Sequence, residues 1–180
     1  EFLTVNWTPY KINLFFFIKE CIKQDILLPV AGEYAVGMLF LPPDVVEREN
    51  IQRHFEKIVR ENEQEIIAWR QVPVNPEILG EKSRQSQPEI MQVFIKASSK
   101  VLDRLTIDDN AFERKLYIIR REAENKIRYG ELRGGKYFYS SSLSSRTIVY
   151  KGMLTTQQLG NFYFDLQDSS VETAMALVHS

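Results

Sequence analysis

The sequence predicts an α+β fold in which helices alternate with short, mainly antiparallel strands. Some stretches place apolar residues at helical spacing, and others are apolar runs short enough to be buried strands. These stretches do not follow the regular β-α-β order that produces a doubly wound parallel sheet. A chain of 180 residues without internal repeats is long enough for one domain with a sizeable hydrophobic core.

The first half of the chain contains two predicted helices and three predicted strands. Apolar positions from Tyr10 to Gln24 fall at helical spacing, and the apolar run from Glu33 to Leu41 indicates a buried strand. Pro42-Pro43-Asp44 ends that strand and begins a helix through about Asn62, because proline is tolerated in a first helical turn. Two further strands are predicted, from Glu65 to Val72 and from Glu89 to Lys96.

A long helix begins the second half of the chain. Asn110 and Glu113 are spaced as a capping box, in which each side chain satisfies a backbone donor of the other residue. Apolar residues then keep helical spacing from Phe112 to Ile127, and Gly130 ends the helix. The pattern therefore predicts one amphipathic helix with an apolar face toward the core.

Two extended segments follow this helix. They run from Tyr137 to Leu143 and from Arg146 to Leu154, and Ser144-Ser145 is predicted to be a hairpin turn between them. Thr155 and Gln158 then have the spacing of a capping box that begins a short helical turn.

Both ends of the chain have strand-like apolar residues. Phe2-Leu3-Thr4-Val5 opens the chain, and the run from Ala174 to Val178 is followed only by His179 and Ser180. Native domains seldom end on the unpaired edge of an apolar strand, since such an edge promotes aggregation. We therefore expect residues 1–180 to form a single partial domain, truncated at both ends, that aggregates or associates when isolated.

Composition excludes several classes of protein. The formal net charge of -1 argues against a dedicated nucleic-acid-binding domain, which is usually strongly basic. A single cysteine cannot form an internal disulfide or a multi-cysteine metal or cluster site. No apolar run approaches the ~18 residues of a membrane span. The composition predicts a soluble intracellular protein.

The common catalytic motifs are absent from the sequence. There is no glycine-rich phosphate loop, HExxH, CxxC or G-x-S-x-G sequence. Cys21 is expected to be a buried, unreactive thiol, His54 a solvated side chain and Asn6-Trp7-Thr8 a chance match to a glycosylation site. The basic stretch from Arg114 to Lys136 is expected to be a solvated helix face, with a phosphate-binding or nucleic-acid-binding surface as the alternative.

Several stretches in order along the chain resemble the glutamine amidotransferase domain of glutamate synthase, of the large-subunit and ferredoxin-dependent type. The most distinctive is Ser142-Leu143-Ser144-Ser145-Arg146-Thr147-Ile148-Val149-Tyr150-Lys151-Gly152-Met153-Leu154. The other matching stretches are Gly32 to Pro42, Trp69 to Asn75, Ile78 to Gly80, Gln92 to Ile95, Phe112 to Arg121, Asp165-Leu166 and Ala176 to Ser180. Together they cover nearly the whole chain.

The resemblance implies an N-terminal-nucleophile hydrolase, in which two antiparallel sheets lie between helical layers as an αββα sandwich. In that family, the thiol of an N-terminal cysteine attacks glutamine and releases ammonia. The ammonia passes to a flavin domain, where 2-oxoglutarate is aminated and reduced to glutamate. The resemblance also implies glutamate biosynthesis and ammonia assimilation as the role of the parent enzyme.

Cofactors and partners are likewise implied for the parent and not for this segment. FMN and an iron–sulfur cluster are expected in the full-length enzyme, with ferredoxin or a reductase subunit among its possible partners. Similarity of the stretch from Ser142 to Leu166 to photosynthetic-type enzymes favours ferredoxin over NAD(P)H. The expected compartment is bacterial cytoplasm or plastid stroma, without nucleic acid or membrane as a partner.

The sequence departs from the family at the reactive positions. It begins with Glu1-Phe2 and not with cysteine, so the family's nucleophile would precede Phe2, and its carboxylate-binding arginine would follow Ser180. No catalytic, substrate-binding, cofactor-binding or metal-binding residue is therefore assigned, and the isolated segment is expected to be inactive. Tyr150-Lys151-Gly152 and His179 are expected to be structural, although the former lies where a pocket rim is conceivable.

An alternative interpretation belongs to a different class of protein. A non-catalytic α+β binding or assembly module derived from the same domain would also lack the reactive residues. The adjoining sequence would distinguish them, because a cysteine-led segment before Phe2 and an arginine after Ser180 would favour the enzyme.

Overall fold

Most of the described chain consists of helices and of strands that form two sheets. The computed structural model describes residues 2–6, 15–23, 26–105, 108, 110–171 and 175–179. The strands are β1 Phe2–Asn6, β2 Tyr34–Leu41, β3 Glu65–Gln71, β4 Glu89–Lys96, β5 Tyr139–Ser144, β6 Thr147–Lys151 and β7 Met175–His179. The helices are α1 Phe15–Ile22, α2 Val45–Glu61, α3 Glu81–Gln85, α4 Ser99–Leu105, α5 Ala111–Ala123 and α6 Thr156–Phe162.

The strands form two antiparallel sheets. One sheet has the order β3-β4-β2-β5, and the other has the order β6-β1-β7. In the larger sheet Gly37 pairs with both Val93 and Leu143, so β2 lies between β4 and β5. In the smaller sheet Leu3 pairs with Tyr150 on one side and with Val178 on the other. The predicted α+β class with antiparallel strands is therefore confirmed.

The four-stranded sheet divides the apolar core into two parts. Successive side chains of a strand point to opposite faces, and β2 is buried along most of its length. Its residues Ala35, Leu39 and Leu41 pack with the apolar faces of α2 and α5. Its residues Val36 and Met38 pack in the second cluster, which includes buried side chains of β6 and α6. The second cluster therefore lies between the two sheets.

Most predicted elements of the first half are found close to their predicted bounds. The strand from Glu89 to Lys96 is β4, and Asp44 caps α2 by accepting a hydrogen bond from the backbone N–H of Glu47 at 2.9 Å. The helix predicted from Tyr10 to Gln24 corresponds to α1, although residues 7–14, 24 and 25 lie outside the described part. Helices α3 and α4 have no counterpart among the predictions.

The predicted capping box at Asn110 is wrong. Asn110 precedes α5 but makes no side-chain cap hydrogen bond, and its Oδ1 accepts a hydrogen bond from Arg146 instead. The Glu113 carboxylate accepts hydrogen bonds from the hydroxyls of Ser144 and Ser145 and from the Ser145 N–H. Asn110 and Glu113 therefore bind residues of the turn between β5 and β6 and do not form a capping box on α5. The capping box of Thr155 and Gln158 on α6 is present as predicted.

The predicted hairpin at Ser144-Ser145 is also wrong. Strand β5 pairs with β2, whereas β6 pairs with β1, so the chain changes sheets at this turn. Serine side chains connect the two strands where a ladder of backbone bonds would otherwise run. The Ser142 hydroxyl accepts a hydrogen bond from the Val149 N–H at 3.0 Å, and the Ser141 hydroxyl donates to the Val149 carbonyl at 2.9 Å.

Candidate functional site

A buried cluster of hydrogen-bonded polar side chains lies between the two sheets. The Arg70 guanidinium donates to both carboxylate oxygens of Asp165, from Nη1 to Oδ2 and from Nη2 to Oδ1, each at 2.8 Å. Nη1 also donates to Gln92 Oε1 at 2.8 Å, and the Tyr150 hydroxyl donates to Asp165 Oδ2 at 3.0 Å. Side chains of Arg70 and Asp165 are only 4% and 1% exposed, so water contributes little to their solvation.

Four separate elements bring this cluster together. Arg70 comes from β3 and Gln92 from the adjacent β4, with which it is in register. Tyr150 comes from β6 in the other sheet, and Asp165 lies in a short 3-10 turn, Phe164–Gln167, that follows α6. Each of these side chains points from its element into the space between the sheets. The cluster therefore fixes the two sheets and α6 relative to one another.

Helix α1 closes one side of the cluster. Glu20 approaches Arg70 Nη2 at 3.4 Å and accepts a hydrogen bond from Lys23 at 2.6 Å. The bond from Lys23 lowers the pKa of Glu20, burial opposes this effect, and the charge of Arg70 adds to it. Lys19, also on α1, lies 3.5 Å from Asp168. Ion pairs thus attach α1 at two points.

The electrostatics of the cluster favour a charged Arg70 and a neutral Tyr150. Burial works against the charged form of Arg70, yet the hydrogen bonds and charge of Asp165 keep its pKa above the ordinary value. Burial, and then the charge of Asp165, raise the pKa of Tyr150 well above that of a free phenol. A permanently charged guanidinium and a neutral phenol can organise structure, but neither is poised to transfer a proton near neutral pH.

Cys21 lies beside this cluster and is only 1% exposed. Burial raises the pKa of its thiol to about 11, against the opposing charge of Arg70. Among the described residues, the Tyr34 hydroxyl next to it has no hydrogen-bond partner, and burial, followed by the neighbouring Cys21, raises the pKa of Tyr34. The predicted burial of Cys21 is confirmed. Only the thiolate is a strong nucleophile, so its lack of reactivity stays a prediction, which the raised pKa supports.

Other residues singled out in the sequence lie apart from the cluster. His54 is half-buried on α2, and its Nδ1 lies 2.8 Å from the Asn50 carbonyl oxygen of the same helix. In the basic stretch, Arg121 and Lys126 pair with acidic residues of their own helical segment. The backbone of His179 lies in β7, while Trp7, Thr8 and Ser180 fall outside the described residues.

The described side chains contain no site suited to a metal or a cluster. Within these residues, no group of three His, Cys, Asp or Glu side chains is placed to hold a metal ion. An iron–sulfur cluster needs several thiolates, whereas the chain has one cysteine. The residues present therefore do not fit the cluster that the family resemblance implies for a longer protein. In the same part of the chain, no helix is long and apolar enough to cross a lipid bilayer.

The sequence does not identify the Arg70–Asp165 pair as a functional unit. Arg70 carries one usable signal, since it lies in a predicted strand and is therefore a charged residue on a semi-buried surface. Asp165 lies 95 residues further along the chain. Both residues fall in stretches that resemble the family, but no local pattern indicates that they are in contact. Only the folded chain shows that the two side chains meet.

Comparison with known proteins gives one family and a consistent group of relatives. The profile of the family described as class-II glutamine amidotransferases matches residues 10–180. The chain is 46% identical over 165 residues to the NADPH glutamate synthase large chain of Bacillus subtilis, an alignment that covers 92% of this chain. It is 39% identical over 164 residues, 91% of the chain, to the chloroplastic/mitochondrial ferredoxin-dependent glutamate synthase 1 of Arabidopsis thaliana.

A fungal protein extends this group of relatives. The NADH glutamate synthase of Schizosaccharomyces pombe is 33% identical over 165 residues, covering 92% of the chain. The alignments cover only 10% of the Bacillus and Arabidopsis proteins and 8% of the Schizosaccharomyces protein. The chain thus spans about a tenth of the length of these relatives.

Proposed function

Because the chain belongs to the class-II glutamine amidotransferase family, we propose that it forms part of the glutamine-hydrolysing domain of a glutamate synthase. The observation that carries this proposal is the similarity to glutamate synthases over nine-tenths of the chain, at up to 46% identity. The two antiparallel sheets with packed helices support it, because they suit the sandwich expected of an N-terminal-nucleophile hydrolase.

The proposed parent enzyme releases ammonia from the side-chain amide of glutamine and uses it to aminate 2-oxoglutarate. Reduction of the resulting imine by two electrons yields glutamate, and hydrolysis of glutamine yields a second glutamate. The printed names of the relatives include NADPH, NADH and ferredoxin, so the electron donor of this parent is one of these classes. Bacterial cytoplasm or plastid stroma is the proposed compartment.

Within that enzyme, the segment acts as scaffold and does not supply the nucleophile. Cys21 is buried and its thiol has a pKa raised to about 11, which is the opposite of what nucleophilic catalysis requires. In the buried cluster, the charges of Arg70 and Asp165 bind each other and so do not face a substrate. We infer that the nucleophile, the flavin and the iron–sulfur cluster belong to other parts of the parent, as do contacts with ferredoxin or a reductase subunit.

A glutaminase assay tests this proposal. Full-length protein is expected to hydrolyse glutamine, to lose this activity on thiol alkylation, and to keep it in the Cys21→Ala variant. The isolated 180 residues are expected to show no turnover. Loss of activity in full-length Cys21→Ala that retains its fold by circular dichroism would contradict the scaffold role.

The same assay distinguishes the alternative of a binding or assembly module. If full-length protein with the native sequence around this segment shows no glutamine hydrolysis, with every electron donor class supplied, the chain is a non-catalytic relative of the family. Glutamine-dependent formation of glutamate from 2-oxoglutarate by the same preparation would exclude that module.

A further inference from the structure

A half-buried group of hydrogen-bond donors surrounds Tyr139 at one end of the space between the sheets. Lys151, at the end of β6, donates from Nζ to the Tyr139 hydroxyl at 2.9 Å and lies 4.8 Å from the centre of its ring. The Arg128 guanidinium carbon lies 5.9 Å from the same ring centre. Tyr139 begins β5, so the group lies where the chain segments of the two sheets diverge.

Arg128 is held in a fixed position by the backbone. Its Nη1 donates to the carbonyl oxygens of Phe138 at 2.8 Å and Lys136 at 3.4 Å. No carboxylate within the described residues forms an ion pair with Arg128, in contrast to Arg120 and Arg121 on the preceding helix. Both hydrogen bonds of Arg128 to carbonyl oxygens use Nη1, and within the described part of the chain Nε and Nη2 have no acceptor, so they can bind a ligand. A guanidinium held by carbonyls loses little freedom when it does so.

The local backbone keeps this arginine in place. Residues Glu124–Arg128 form a π-helical turn at the end of α5, and such turns are frequent at functional sites. Gly135 packs so closely on the turn that a Cβ atom there would approach the Ile127 carbonyl oxygen to 2.3 Å. A larger residue at this position would displace the turn and the arginine with it.

Tyr139 adds a neutral donor to the two cationic groups. Its oxygen accepts the hydrogen bond from Lys151, and its own O–H has no acceptor among the residues that the structure describes, so it can donate to a third group. A tilted contact with the ring of Phe40, at 5.9 Å between ring centres, supports the Tyr139 ring from β2. The site thus offers a guanidinium, an ammonium and a phenol O–H around one ring. These donors suit a compact oxyanion with two negative charges better than a ligand that carries two separated carboxylates.

We propose that Arg128, Tyr139 and Lys151 form a binding site for a phosphate group. The guanidinium binds it through two parallel N–H groups, the ammonium supplies a second positive charge, and the tyrosine hydroxyl donates a third hydrogen bond. The phosphate is either free inorganic phosphate or part of a larger phosphorylated ligand. This site is independent of the proposed glutamine chemistry.

Titration of full-length protein with inorganic phosphate, followed by calorimetry, tests the site. Arg128→Gln is expected to weaken binding at least tenfold, because it removes a charge and a bidentate contact. Tyr139→Phe keeps the ring and removes only the hydroxyl, so a loss of about threefold is expected. The matched control is Lys57→Gln, since Lys57 is exposed on α2 with a weak ion pair to Glu61 at 3.8 Å, and its binding should equal that of the native protein.

Crystals soaked in selenate locate the anion directly by anomalous scattering. A peak between Arg128 and Lys151, absent in Arg128→Gln, is the expected result. A parallel titration with a nucleoside 5′-monophosphate separates the two sources, because tighter binding than phosphate alone indicates a larger ligand. Equal phosphate binding by native protein and Tyr139→Phe, selenate only elsewhere, or a site that takes L-glutamate and not phosphate would each overturn the proposal.

Discussion

At the scale of single residues, Arg70 is a charged side chain that is almost completely shielded from water. It is a charged group at 4% exposure, with a bidentate carboxylate, an amide and a second carboxylate around it. A buried charge is tolerated only when such partners replace its hydration. The nearby Tyr34 hydroxyl, which has no partner in the described part of the chain, and the buried Cys21 show how apolar the surrounding space is.

Replacement of Arg70 by methionine is expected to destabilise the folded protein by about 3–5 kcal/mol, because Asp165 would remain as an uncompensated buried charge. Urea unfolding of native and variant protein measures the difference. Arg84→Met is the control, since Arg84 forms an exposed ion pair with Glu77, worth about 1 kcal/mol at most. The double variant Arg70→Met with Asp165→Leu should recover part of the loss. Equal effects of the Arg70 and Arg84 substitutions would refute the importance of the cluster.

Cys21 is expected to react slowly with iodoacetamide. A thiol pKa of about 11 in place of 9.0 lowers the thiolate fraction at pH 8 about a hundredfold, and burial adds a steric barrier. Peptide mapping by mass spectrometry after timed labelling, with and without urea, gives the two rates. The thiol has a lower pKa in the unfolded chain than in the folded one, so it ionises first in the unfolded chain. The free energy of unfolding is therefore expected to fall as the pH rises from about 9 to 11. Rapid labelling of the folded protein would show that the thiol is activated.

At the scale of secondary-structure elements, the N-termini of α5 and α6 differ in whether a side chain caps the free backbone N–H groups. Helix α6 has a complete capping box, with Thr155 and Gln158 exchanging hydrogen bonds at 3.0 and 3.3 Å. Helix α5 has no side-chain cap, since Asn110 bonds Arg146 and Glu113 binds the β5–β6 turn. In α5, therefore, capping residues serve to attach a distant turn to the helix.

Two alanine substitutions test this difference between the helix ends. Thr155→Ala should cost about 1 kcal/mol of unfolding free energy, which is typical for a lost N-cap. Asn110→Ala should cost less than about 0.5 kcal/mol, because it removes only an exposed side-chain bond. Chemical denaturation of both variants, under the same conditions, gives the comparison. If Asn110→Ala proves as costly as Thr155→Ala, Asn110 caps the helix in solution.

At the scale of the whole molecule, the four-stranded sheet is the centre of the structure. Strands β2 and β4 each pair on both sides, whereas β3 pairs only with β4 within the described residues. Apolar clusters cover both faces of β2. The helix layer, the smaller sheet and the buried polar cluster all attach to this sheet, so its central strands should be the last part to open.

Hydrogen exchange is expected to follow this order. Amides of β2 and β4 should exchange only on global unfolding. Those of α1, which lies at the edge of the structure and whose Lys19–Asp168 ion pair is partly exposed, should exchange through local opening. Mass spectrometry of peptides from full-length protein over a time course measures both. Raising salt should accelerate exchange in α1 and leave β2 unchanged, because exposed ion pairs are screened. Protection of α1 equal to that of β2 would show that the helix is part of the core.

The sequence by itself determined the local elements, the α+β class and the family resemblance. Hydrophobic periodicity and capping signals act within a few residues, which is why β4, α2 and the cap of α6 lie where the pattern predicts them. Only the tertiary structure decided which strands pair and which polar groups meet. Short apolar strands can pair with many partners, so nothing local shows that β6 joins β1 and not β5. The contact of Arg70 with Asp165, 95 residues away, likewise exists only because packing excludes water from both groups at once.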